Sequence, residues 1–159
     1  MKDKPLKIIL ESCDCAGKTT AYKELKKLYP DLDIVDRSFI SDIVYAKKFN
    51  RTEYMGVPIQ TYIDYWLYWH SANTNSCIVL FTATPETLAT RALAKDEAFC
   101  RNRDFKQICE YLEKDDVAFK EVLQKVHKYF GFDFISVDTS SYDKEKTLDY
   151  IRNYIDGKL

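Results

Sequence analysis

Glu11-Ser12-Cys13-Asp14-Cys15-Ala16-Gly17-Lys18-Thr19-Thr20 is the stretch on which the fold turns. It follows Leu6 to Leu10, a nearly continuous apolar run of the kind found in a strand covered on both faces. It opens Lys18 to Tyr29, where Ala21, Tyr22, Leu25, Leu28 and Tyr29 recur at helical spacing until Pro30 stops them. Gly-Lys-Thr between a buried strand and a helix is the setting of a phosphate-binding loop. The residue types suit that chemistry. Lys18 can reach the β- and γ-phosphates of ATP, the Thr19 hydroxyl can ligate Mg²⁺, and the amides from Ser12 to Thr20 offer donors at a helix N-terminus, whose dipole favours an anion. Ser12 and Cys15 stand where such loops commonly carry glycine, and both cost more than glycine wherever φ is positive. A nucleotide-binding module without turnover is therefore one alternative.

Outward from the loop, strand and helix patterns alternate. Asp33 to Asp36 reads as a second strand, followed by a helix around Ser41 to Phe49. Asn50 to Pro58, with Gly56 and Pro58, reads as a loop, and Gln60 to Ser71 as an aromatic helix. Ser76 to Thr82 (SCIVLFT) is the clearest buried strand, and Pro85 sits where the next helix begins. Phe105, Ile108, Cys109, Leu112, Phe119, Val122, Leu123 and Val126 mark a long helical stretch, with a bend expected near Asp115-Asp116. Phe132 to Val137 reads as a fourth strand and Thr147 to Ile155 as a closing helix. This alternation predicts an α/β fold: a parallel sheet with helices on both faces, in one domain over 1–159. The strands ending at Asp36 and Thr82 should flank the P-loop strand, with Phe132 to Val137 outside the latter.

Bulk properties narrow the classes. The 159 residues suffice for one packed core, and 46% hydrophobic content excludes a disordered chain. A net charge of -1 argues against a protein that holds duplex DNA mainly by phosphate contacts. Cys13, Cys15, Cys77, Cys100 and Cys109 are odd in number and scattered, which fits reduced thiols in a cytoplasmic protein rather than disulfides or a zinc site. No apolar run reaches the length of a signal peptide or a membrane span. Lys23, Lys26, Lys27, Lys47 and Lys48 read as solvated surface, and His70 and His127 receive no role.

Asp36-Arg37 falls at a strand end, where open parallel sheets bind ligands. Arg37 offers a planar fork suited to phosphate. Asp36 could bind Mg²⁺ through water, or serve as the carboxylate that a hydroxyl acceptor needs.

These segments resemble a known family. Glu11 to Thr20 resembles the thymidylate kinase form of the P-loop, Asp36-Arg37-Ser38 to Tyr45 resembles the segment beginning Asp-Arg in that family, and Arg91 with Arg101-Asn102-Arg103-Asp104 resembles its lid. Deoxynucleoside kinases carry a similar Asp/Glu-Arg segment. The resemblance implies a P-loop kinase fold (three-layer α/β/α) with a short lid about 95–105, and ATP- and Mg-dependent phosphorylation of a deoxynucleoside monophosphate, thymidylate first among candidates. It implies that Arg37 holds the acceptor phosphate, that Asp14 meets the acceptor sugar, and that Tyr62, Tyr65, Trp66 and Trp69 lie where the base is recognised. Arg101 and Arg103 become the lid cations, and Arg91 a neighbour of the adenine. The chain is shorter than family members on the acceptor side. A kinase acting on a hydroxyl, of a deoxynucleoside or of a modified base within DNA, therefore stays open, as does a homodimer.

Overall fold

Leu6–Ser12 form β1, whose middle residues Ile8, Ile9 and Leu10 are fully buried. The computed structural model describes residues 3–141 and 143–159. β1 lies between β2 (Asp33–Asp36) and β5 (Asn75–Thr82), and β6 (Asp133–Asp138) pairs with the far edge of β5. All three pairings are parallel, with Ile9 opposite Val35 on one side and Ile78 on the other. The order β2-β1-β5-β6 is the one expected from the sequence. A strand buried on both faces must be apolar along its whole length, which is why LKIIL and SCIVLFT carried so clear a signal.

Parallel neighbours need crossovers, and these are right-handed. The crossover from β1 to β2 runs through α1 (Lys18–Leu28), which packs against α6 (Lys144–Asp156) on one face. The return from β2 to β5 runs through α2 (Phe39–Lys48) and α3 (Ile59–Asn73) on the other face. There α4 (Pro85–Ala94) and α5 (Phe105–Phe130) complete the layer, with Ile108, Leu112, Phe119 and Leu123 of α5 turned into the core.

The structure departs from expectation at several places. Residues 50–58 are not a plain loop but contain a small antiparallel hairpin, β3 (Glu53–Tyr54) with β4 (Val57–Pro58). α5 runs unbroken for 26 residues through Asp115-Asp116. Both carboxylates there face inward and are answered: Lys48 pairs with Asp115 at 2.7 Å, Lys120 with Asp116 at 2.8 Å, and the Thr82 hydroxyl donates to Asp116 at 2.8 Å. Polar residues broke the apolar pattern without breaking the helix. Lys48, accordingly, is not plain surface: its ammonium also lies 4.0 Å from the centre of the Tyr111 ring. The helix starts at Phe39 and Lys144 also come earlier than expected, behind the caps Ser38 and Asp143.

Candidate active site

The site forms at the carboxyl ends of β1 and β2. The loop after β1 turns through two left-handed residues, Cys15 (φ 69) and Gly17 (φ 87). Space does not dictate the glycine, because a Cβ there would sit 3.8 Å from Thr139, an ordinary contact. Its φ does. Cys15 adopts the same region with a side chain, so the cost foreseen for this position is present.

The loop is braced from behind by groups the sequence left unconnected. Thr139, just beyond β6, donates its hydroxyl to the Ala16 carbonyl at 2.9 Å. Arg91 of α4 donates to the Cys15 carbonyl at 3.2 Å and to Thr139 Oγ1 and O at 2.9 and 2.5 Å. Ser12 and Cys13 are buried, and burial pushes the Cys13 thiol well above its ordinary range. α2, α4, α5 and α6 have side-chain caps, whereas α3 begins behind Pro58 and α1 behind Gly17 with none. The first amides of α1 are left to a ligand or water.

Lys18, the first residue of α1, is 94% buried. Its ammonium is in contact with the Asp36 carboxylate at the end of β2. Burial pulls the Lys18 ammonium down to about 8, with the charge of Arg37 in the same direction and Glu11 and Asp14 against it. Direct contact with the carboxylate of Asp36 favours the protonated form, so the resting site holds a lysine–aspartate ion pair.

Arg37 is in the left-handed region (φ 70), and its N–H donates to the Leu10 carbonyl at 3.0 Å. Its Nη1 donates to the Ser12 carbonyl and to Ser41 Oγ at 3.2 and 3.3 Å, and its Nη2 to Asp14 at 3.2 Å. The guanidinium also interacts with Tyr45, whose ring centre lies 5.8 Å away, so most of its five N–H groups are already engaged.

A polar cleft joins these groups. It is lined by Asp14 through Thr20 along the loop, by Asp36 and Arg37, and by Lys95 and Glu97 at the start of the lid. Thr19 and Asp36 both line it, and a hydroxyl with a carboxylate is a donor set that fits Mg²⁺, an ion that keeps waters and phosphate oxygens as its other ligands. Among the described residues there is no cluster of three or more metal-ligating side chains. A second, more apolar cavity opens behind the loop, bounded by Gly17, Ala21, Arg91, Thr139, Lys144 and Leu148. Arg91 thus sits between loop and cavity.

Other expected residues are not brought together. Arg101 is exposed, and Arg103 donates to the Phe99 carbonyl at 2.5 Å and stacks over Tyr111 at 4.6 Å. Neither lines the phosphate cleft, and the lid side chains that do are Lys95 and Glu97. In the aromatic helix, Tyr62 is bonded to Asp42 at 2.8 Å, one residue past Ser41, which places it near the Arg37 end of α2. Trp66 packs beside it and Tyr65 is largely exposed. Trp69 lies against His70, whose ring feels the charges of Lys7 and Asp33 at the amino ends of β1 and β2. That is the opposite end of the sheet from the P-loop. His70 itself is a satisfied core histidine, with Nδ1 2.8 Å from the Trp66 carbonyl and Phe39 against its ring.

Glu11, Thr139, Lys95 and Glu97 are the groups the sequence pattern missed. Only Glu11 carried a signal, as a carboxylate inside an otherwise apolar strand.

No protein-family model matches the sequence, and no curated protein does. Solved structures do. The matching structures, which share the α/β fold, include deoxyadenosine kinase from M. mycoides. With bound dCTP, that enzyme superposes at a TM-score of 0.65 with 18% identity, covering 95% of this chain and 99% of the other. With dCMP and a flexible dCDP as products the TM-score is 0.61 at 16% identity, covering 95% and 99%, and with dATP it is 0.59 at 16%, covering 94% and 99%. At such identities the likeness is one of fold. Among the described residues, no helix is long and apolar enough to cross a membrane.

Proposed function

We propose that the protein is an ATP- and Mg-dependent kinase that phosphorylates a deoxynucleoside monophosphate, with thymidylate the first candidate. One observation carries this: the uncapped P-loop helix, Lys18, Asp36 and Arg37 converge on a single cleft. Phosphoryl transfer asks little covalent chemistry of a protein and much positioning and charge. The loop amides and Lys18 hold the donor phosphates. Thr19 and Asp36 supply the oxygens for Mg²⁺, which when bound would neutralise charge on the β- and γ-phosphates. In that arrangement Lys18 exchanges Asp36 for phosphate oxygens.

The acceptor assignment rests on Arg37. Arg37 lines the cleft with a guanidinium already oriented by Ser12, Ser41 and Asp14, which suits an acceptor that carries its own phosphate. Such an acceptor is largely ionised at neutral pH and needs no base. Tyr62, beside α2, is the aromatic best placed to meet its base. The second proposal is a deoxynucleoside acceptor. It draws on Asp36, a carboxylate in the cleft able to take a hydroxyl proton, and on the nucleoside kinases that share the fold. DNA bearing a modified base is a third acceptor of the same hydroxyl chemistry.

ADP release measured against monophosphates, nucleosides and hydroxymethylated DNA separates these outcomes. Release with monophosphates alone is expected. Release only with hydroxyl acceptors transfers the assignment to Asp36, and ATP binding with no release for any acceptor leaves a nucleotide-binding module.

A further inference from the structure

Glu11 is a fully buried carboxylate in the central strand, with no exposure to solvent. Burial pushes it above the ordinary carboxylate range, while Ser41 and Ser38 act in the opposite direction. Its side-chain hydrogen bonds among the described residues go to the cap and first turn of α2, just beyond the neighbouring strand β2. Oε1 accepts from the Ser38 N–H at 2.7 Å and from Ser38 Oγ at 2.9 Å, and Oε2 accepts from Ser41 Oγ at 2.5 Å. Arg37 directly precedes that turn, in a left-handed conformation that a bulky residue keeps only when its surroundings impose it. Ser41 also accepts from Arg37 Nη1 at 3.3 Å.

We propose that Glu11 is a positioning residue for the acceptor-binding arginine, its buried carboxylate holding the turn from Ser38 to Ser41 so that Arg37 aims into the cleft. This rests on Arg37 gripping the acceptor. The carboxylate accepts only, so Ser41 must turn its proton towards Glu11 and its lone pairs towards the guanidinium. A serine hydroxyl thereby carries the polarity of Glu11 to Arg37, as a relay of one atom. A purely local role, anchoring the start of α2 through its cap Ser38, would require no such orientation of Ser41.

Glu11→Gln is the sharpest variant, because it keeps the shape and changes the polarity. Its carbonyl can serve Ser38, which leaves its NH₂ donating to Ser41. The Ser41 hydroxyl then accepts from the amide as well as from the guanidinium and has no carboxylate to take its proton, which weakens its hold on Arg37. Ser41→Ala removes the relay and keeps the carboxylate, and Ser41→Thr keeps a hydroxyl. The expected result is a rise in acceptor KM of about tenfold or more in Glu11→Gln and Ser41→Ala. Affinity for a fluorescent ATP analogue should stay within about twofold, and Ser41→Thr should recover most of the loss. Placed on top of Arg37→Ala, Glu11→Gln should add nothing further. An unchanged acceptor KM, an equal loss of ATP affinity, or full additivity with Arg37→Ala overturns the proposal.

A measurement independent of turnover separates this from a failure of the kinase assignment. In ¹⁵N-labelled protein, the Arg37 Nε–H resonance, assigned by its loss in Arg37→Lys, should shift and broaden in Glu11→Gln. Should the wild type phosphorylate nothing, that resonance alone decides: retained position and intensity in Glu11→Gln reject the positioning role. Should either variant prove too unstable to study, the other answers the same question.

Discussion

The arginine at the end of β2 and the arginines of residues 95–105 differ in how far their surroundings already orient them. Arg37 has its backbone pinned to Leu10 and its guanidinium bonded to Ser12, Ser41 and Asp14. Arg101 is exposed and Arg103 is turned onto Tyr111 and the Phe99 carbonyl, away from the cleft lining. An oriented cation pays little reorganisation when charge arrives, whereas a lid cation must first be brought in. The floor of the cleft is thus set in advance, while the arginines of residues 95–105 would have to move to reach it.

The largest expected effect tests the floor. Lys18→Met should lower kcat by about a thousandfold, since it removes a preorganised cation from the transferring phosphoryl group. Coupled ADP release reads this directly, and a loss under about tenfold would take the lysine out of the chemistry.

A smaller effect sharpens the contrast within the lid. Lys95 lines the cleft and Arg103 does not. Lys95→Ala should therefore reduce kcat by about tenfold and Arg103→Ala by less than about threefold, with acceptor KM little changed in both. The reverse order would mean that closure swings Arg103 off Tyr111 and into the site.

The smallest effect concerns strain in the loop itself. Cys15 holds φ 69, so glycine should suit it better than alanine does. Cys15→Gly should be more stable than Cys15→Ala by about 1 kcal/mol, opposite to the order of these residues in a helix. Urea unfolding of the two variants settles the sign.

Much of this was legible in the chain. The strands covered on both faces announced themselves as LKIIL and SCIVLFT, and the right-handed crossover rule left little freedom in their order. The P-loop was legible because Gly17-Lys18-Thr19 is tied to its chemistry by short-range geometry. Lys95, Glu97 and Thr139 were not, because each reaches the site from a distant segment and none belongs to a motif. Trp69 misled for a related reason. Helical spacing aligns it with Tyr62 and Trp66 on one face, but seven residues along α3 carry it about 10 Å towards the far end of the sheet. Asp115-Asp116 suggested a bend because polarity in an apolar stripe resembles a break until its partners, Lys48, Lys120 and Thr82, are known.

The unbroken α5 has a mechanical consequence. Its 26 residues make a rod of about 39 Å whose capping box, Asp104 with Gln107, clamps the point where the segment after α4 ends. A stiff boom with a locked pivot does not flex, so any movement between α4 and α5 must be taken up by the short segment from Lys95 to Arg103. That segment already contains Asp96 and Asn102 in left-handed conformations, which makes it the natural elbow of the arm.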